Sequence, residues 1–226
     1  MYKKFIELFG KENLLDQALE TTIKMLESDL EMFRASKESL RDNDNAELPF
    51  DIYEKDKQIN KFEREVRRNV LTHLTISGVH NIVPGLALVS IVIDVERIGD
   101  FAKNITELAK AHPTRLDAGA YEKDLAEIEE ILFLRFDQII KVLSGPDVEL
   151  AKQMMSEHRG ISSRCDKILG DIIHGKNAPL SASDAVVLAL YFRYLKRVAA
   201  HLTNIASSIV NPFPRIGFRA KDIENQ

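Results

Sequence analysis

Apolar positions recur along this chain at the alternating three- and four-residue spacing of amphipathic helices. Leu15, Leu19, Thr22, Leu26, Leu30 and Phe33 fall on one face of a long helix predicted over residues 14–41. The polar stretch 41–51, with Asp42-Asn43-Asp44-Asn45 and Leu48-Pro49, predicts a loop. Ile59, Phe62, Val66, Val70 and Leu74 mark a second helix, and Asn81 to Gly85 reads as a connection before a third. That third helix ends at His112-Pro113, because proline cannot continue a helix. The plan then repeats. Leu125, Ile128, Leu132, Phe136, Ile139 and Leu143 mark a fourth helix, broken by Gly145-Pro146. Met154, His158, Ile161, Cys165, Ile168 and Ile172 mark a fifth, closing near Gly175. Ser183 is the predicted N-cap of a sixth, which ends before Asn211-Pro212. No segment alternates with period two, so no sheet is predicted. The pattern implies an all-α chain of two tandem antiparallel three-helix bundles, residues 1–112 and 113–226, the second carrying a C-terminal tail.

The third and sixth helices align directly. Glu96-Arg97-Ile98-Gly99-Asp100 falls on Lys196-Arg197-Val198-Ala199-Ala200, and Asn104-Ile105 on Asn204-Ile205, at one constant offset. This is an internal duplication. The second copy has exchanged both acids, for Lys196 and Ala200. The small residues Gly99, Ala102, Ala199, Ala200 and Ala206 are read as places where helices approach closely.

Glu96 and Asp100 are the candidate chemistry. They follow the apolar run Leu86 to Ile93, so a core helix delivers two carboxylates onto one face. Adjacent acids beside a core are unfavourable unless a cation offsets them. Hard cations take oxygen ligands, several at a time. The second helix offers Asp56, Asn60 and Glu63 on a stripe beside Ile59 and Phe62. Two readings stay open on the residues alone. One is a metal site built from Glu96, Asp100, Asp56, Asn60 and Glu63. The other is ordinary ion pairing, Glu96 with Arg64 or Arg67 and Asp100 with Lys103 or Lys57. Lys196 is either an internal cation replacing a lost metal or, preferred, a solvated lysine at a vacated site.

Glu96-Arg97-Ile98-Gly99-Asp100 followed by Asn104-Ile105 resembles the signature of the PhoU family of phosphate-signalling regulators, most strongly across residues 86–111. The resemblance implies a six-helix PhoU-like fold. It implies iron, zinc, manganese or magnesium bound through acidic motifs, with fewer ions, weaker binding or none here because the second motif is degenerate. It also implies a cytoplasmic, non-enzymatic, homodimeric regulator of phosphate uptake and starvation signalling that docks on a phosphate transporter ATPase and a sensor kinase. Two other readings are kept. A carboxylate-bridged metal enzyme would use Glu-x-x-His pairs, and the chain has none. The third is a metal-free accessory protein of a sodium–phosphate cotransporter or another transporter.

Composition narrows these classes. The 226 residues carry a net charge of −4, which argues against nucleic acid as the main partner. Residues 1–10 lack the long apolar stretch of a secretory leader, and Ile82–Ile93 is too short to span a bilayer, so no membrane insertion is expected. The single cysteine, Cys165, is read as an inert core thiol. His158 is read as a satisfied core or boundary histidine, with a metal role at His201 a weaker thought. Arg64, Arg67 and Arg68 form a basic patch, either solvated or a docking surface for an acidic partner or phosphate. The tail Pro212–Arg219 either folds back on the bundle or meets a partner.

Overall fold

The computed structural model describes residues 14–77, 81–112, 114–176 and 180–218. The N-terminal segment read above for a leader lies outside them, as does Arg219 of the tail. Among the described residues there are six long helices and no strand: α1 (Leu14–Arg41), α2 (Ile52–Ser77), α3 (Ile82–Ala111), α4 (Glu122–Ser144), α5 (Val148–Ile173) and α6 (Ala182–Val210). Short 3-10 turns at Gly119–Tyr121 and Phe213–Arg215 complete the fold. No helix among the described residues is long and apolar enough to cross a membrane.

Three local expectations are corrected. α3 starts at Ile82 and includes Pro84 and Gly85. Pro84 sits in the first turn, where a backbone N–H has no intrahelical acceptor, so its absence costs nothing. The N-cap of α6 is Ser181, not Ser183: the Asp184 N–H donates to Ser181 Oγ at 3.0 Å. The core face of α1 keeps Thr22, Leu26 and Phe33 of the predicted stripe and differs at its other positions. Leu15, Leu19 and Leu30 are only partly buried, while Ala18, Thr22, Met25, Asp29, Met32 and Ser36 are buried.

Each half is a three-helix unit. α3 packs against α1 and α2, and α6 against α4 and α5. Ser36 Oγ ties α1 to α3, donating to Ala102 O at 2.8 Å and lying 2.9 Å from Thr106 Oγ1. The two units share one continuous apolar core. Phe33 of α1 packs on Phe133 and Phe136 of α4, with ring centroids 5.3 and 5.5 Å apart. α3 meets α6 directly. Asp94 accepts hydrogen bonds from His201 Nδ1 at 2.7 Å and Asn204 Nδ2 at 3.0 Å, and Phe101 lies 5.7 Å from Tyr194. The tail folds back as far as it is described: Gly217 N donates to Ser207 Oγ at 2.7 Å, and Asn211 Nδ2 to Phe218 O at 2.6 Å.

A buried polar network crosses the junction. Arg41 Nε donates to Glu129 Oε1 at 3.3 Å, and Arg41 Nη1 to Leu116 O at 2.8 Å; Nη2 pairs with Glu122. Tyr191 Oη donates to the same Glu129 oxygen at 2.7 Å. Burial pushes the Glu129 carboxyl up even though Arg41 and the Tyr191 hydroxyl pull it down. Removing this carboxylate takes the acceptor from the buried Tyr191 hydroxyl and leaves Arg41 only Leu116 O and Glu122, a class of change that costs about 2 kcal/mol. Glu129→Ala is therefore expected to lower unfolding stability by roughly that amount in urea titration, and a loss under about 0.5 kcal/mol would show the network to be incidental.

Candidate functional site

The first three helices bring their acids together around Gly99. A Cβ at Gly99 would lie 2.8 Å from Asp29 Oδ1 and 3.1 Å from Ile59 Cδ1, so α1, α2 and α3 approach here as closely as backbones with side chains allow. Asp29 is fully buried, and among the described residues neither carboxylate oxygen has a hydrogen-bond partner. Burial, with repulsion from Glu96, Asp56 and Asp100, pushes its carboxyl well above the usual range. Burial also raises Glu96, helped by Asp100, Glu63 and Asp56 and opposed by Arg97. Four carboxylates on three helices thus feel one another.

A lysine sits among them. Lys103 Nζ donates to Asp56 Oδ1 and Asp100 Oδ1, each at 2.9 Å, bridging α2 and α3. Partial burial pulls its ammonium down, but the hydrogen bonds and charges of Asp100 and Asp56 outweigh that and raise it. Of the basic partners named from sequence, Lys103 is the one used. Lys57 pairs with Glu54 at 2.6 Å, Arg67 pairs with Glu63 at 2.7 Å, and Glu96 meets Arg97 at 3.7 Å.

The predicted ligand set is brought together in part. Asp56, Glu96 and Asp100 share the cluster. Asn60 turns back on its own helix, donating to Asp56 O at 3.1 Å. Glu63 faces Glu96 electrostatically while bonded to Arg67. Among the described residues no three His, Cys, Asp or Glu side chains converge into a ready metal cage. Asp29 was missed from sequence. Its signal was available: it lies three residues after Leu26 and four before Phe33, on the apolar face.

The second half keeps the frame and changes the charges. Lys196 is not a free solvated lysine; its Nζ donates to Asp166 Oδ1 and Oδ2 at 2.5 and 2.6 Å. His158 is half-buried, but its Nδ1 is buried and unpartnered among the described residues, so it is not a satisfied core histidine. His201 is committed to Asp94. Cys165 is fully buried, and burial pushes its thiol up to about 11, which makes it inert.

A duplicated all-helical bundle with one acidic, lysine-bridged copy and one degenerate copy defines the class of protein. The PhoU domain family model matches twice, over residues 22–109 and 125–209. The chain belongs to the PhoU family. It is 24% identical over 200 residues to the phosphate-specific transport system accessory protein PhoU homolog of Synechocystis sp., covering 84% of this chain and 88% of that one. Its fold matches the crystal structure of PhoU from Pseudomonas aeruginosa with a TM-score of 0.78 at 18% identity, covering 87% of this chain and 95% of that one. It also matches the phosphate transport system regulatory protein PhoU from Streptococcus pneumoniae, with a TM-score of 0.75 at 16% identity over 86% of this chain and 92% of that one.

The orphaned Asp29 carboxyl makes a prediction with a definite sign. Its folded-state value is raised, so its contribution is unimpaired below the unfolded carboxylate value of about 4 and is lost as pH rises through the folded one. In the presence of a chelator, Asp29→Asn is expected to be more stable than the native chain near pH 8 and nearly equal to it near pH 4, roughly the unfolded carboxylate value. Equal urea midpoints at both values would show that the carboxyl carries no burial penalty.

Proposed function

We propose that this protein regulates phosphate uptake and the phosphate-starvation response by docking its helical bundle on a phosphate transporter ATPase and a sensor kinase, and that it is not an enzyme. The observation that carries this reading is the family model matching both three-helix units, together with the printed role of the Synechocystis relative as a phosphate transport accessory protein. A surface for docking is available. Leu71 and Ile76 in the last part of α2 and Ile82, Val83 and Leu86 at the start of α3 are exposed. Clustered exposed apolar side chains of this kind mark interaction surfaces. Dimerisation and a cytoplasmic location follow from the same family reading.

The acidic cluster is read as a cation site. Its donors are carboxylate oxygens, which suit iron, manganese or magnesium better than zinc, whose preferred ligands are nitrogen and sulfur. Glu96 and Asp100 would hold the ion, with Asp56 and the orphaned Asp29 carboxyl completing the set. Such an ion would supply the positive charge that Lys103 now supplies, so metal binding requires the lysine to swing outward.

Two experiments test the reading. Tagged full-length protein is expected to copurify with the transporter ATPase subunit, and Val83→Glu to abolish that capture without changing the fold; undiminished capture would remove the start of α3 from the interface. Elemental analysis of protein purified without added metal is expected to show bound metal that the Glu96→Ala, Asp100→Ala double variant loses. Metal content unchanged in that variant would refute the site.

A further inference from the structure

The duplication permits the two halves to be compared position by position. Matching α3 with α6 sets Glu96 on Lys196, Asp100 on Ala200 and Lys103 on Thr203. Matching the buried Ile59 and Val66 of α2 with the buried Ile161 and Ile168 of α5 sets Asp56 on His158 and Asn60 on Ser162. Matching Phe33 and Leu40 of α1 with Phe136 and Leu143 of α4 sets Asp29 on the buried Leu132. Every acid of the first cluster has been removed, and two of the replacements are a histidine and a lysine.

The geometry follows the exchange. Where Asp56, Asp100 and Lys103 fill the space between α2 and α3, the second half has a cavity of about 530 Å³ between α5, α6 and the returning tail. His158, Ser162, Ala200 and Thr203 line it, joined by Lys152 and Arg159. No carboxylate is among the described lining residues. Arg159 is exposed, and among the described residues its guanidinium makes no hydrogen bond or ion pair; the Ser162 hydroxyl is equally uncommitted. His158 Nδ1 is buried without a partner. Burial, then the charges of Arg135 and Lys196, hold the His158 ring below its ordinary value. Met155 and Phe218 supply an apolar wall.

We propose that this cavity binds a phosphate-bearing anion, either inorganic phosphate or the phosphate group of a small organic phosphate. A planar guanidinium and a hydroxyl, both uncommitted among the described residues, are donors a tetrahedral oxyanion takes, and the Lys152 ammonium, paired with Glu149 at 2.8 Å, adds positive charge at the rim. The volume lies within the roughly 300–1,000 Å³ range of small-ligand pockets, so an organic group has room against Met155 and Phe218. This inference goes beyond the regulatory reading and stands on the second half alone.

Isothermal titration of the purified full chain, with inorganic phosphate and separately with adenosine monophosphate, tests it. Saturable binding of either probe at one site is expected, and tighter binding of the nucleotide would identify the organic source. Arg159→Ala is expected to weaken binding about tenfold or more, and Ser162→Ala by a smaller factor, with melting temperatures unchanged. Arg68→Ala, in the basic patch of α2, is expected to bind as the native chain does. Absence of binding for both probes up to about 10 mM, or loss in the Arg68 variant but not in the Arg159 variant, overturns the proposal. Neither result depends on whether the chain captures a transporter subunit.

Discussion

The contact between α3 and α6 is the constraint on which the rest of the molecule depends. Asp94 meets His201, and Phe101 meets Tyr194. Under the offset that relates the two halves, Asp94 falls on Tyr194 and Phe101 on His201, so these are one contact made twice, once polar and once aromatic. That is how two copies related by an approximate two-fold meet each other. The arrangement commits one face of α3 and one face of α6 to the junction. Chemistry is left to the faces turned toward α2 and α5, and both the acidic cluster and the cavity lie there.

Electrostatics then separates the copies. In the first half four acids share a small region with one lysine, and one of them, Asp29, is sealed from water without a hydrogen bond among the described residues. Burying an unpaired carboxyl is among the more expensive things a core can do. Lys103 relieves Asp56 and Asp100 but does not reach Asp29. In the second half Leu132 replaces the buried acid, Lys196 turns to Asp166, and the space opens. One scaffold therefore carries an anionic cluster in one half and, at the equivalent position of the other, a hollow with no carboxylate among its described lining residues.

The helices were legible because their apolar spacing is long and regular; α1 is found over the residues predicted, and the breaks at 41–51 and Gly145-Pro146 hold. Caps were less legible, since Ser181 and Ser183 are equally suitable residues and only geometry chooses between them. Asp29 was passed over because the predicted stripe was read for its apolar members, although it lies between the buried Leu26 and Phe33 of that stripe, on a face that also takes in Met25, Met32 and Ser36. Small and polar residues there let α3 come close, and hydropathy alone does not reward them. The cavity was illegible for a different reason. It consists of side chains that are missing, and finding it needs the register of α5 against α6, which is a tertiary fact.

Gly99 shows why the acidic motif reads as it does. A methyl group there would meet the Asp29 carboxylate at 2.8 Å and Ile59 Cδ1 at 3.1 Å, so it would be crowded from two helices at once. Glycine inside a helix costs about 1 kcal/mol relative to alanine, and at this position the close contact offsets that cost. In the second half the same position is Ala199, and the position equivalent to Asp29 is Leu132 rather than an acid. The glycine and the buried aspartate are therefore one unit, present together in the first copy and absent together in the second. The spacing Glu96-x-x-Gly99-Asp100 encodes two surface-side carboxylates and, through the glycine, the space for a third that lies on another helix.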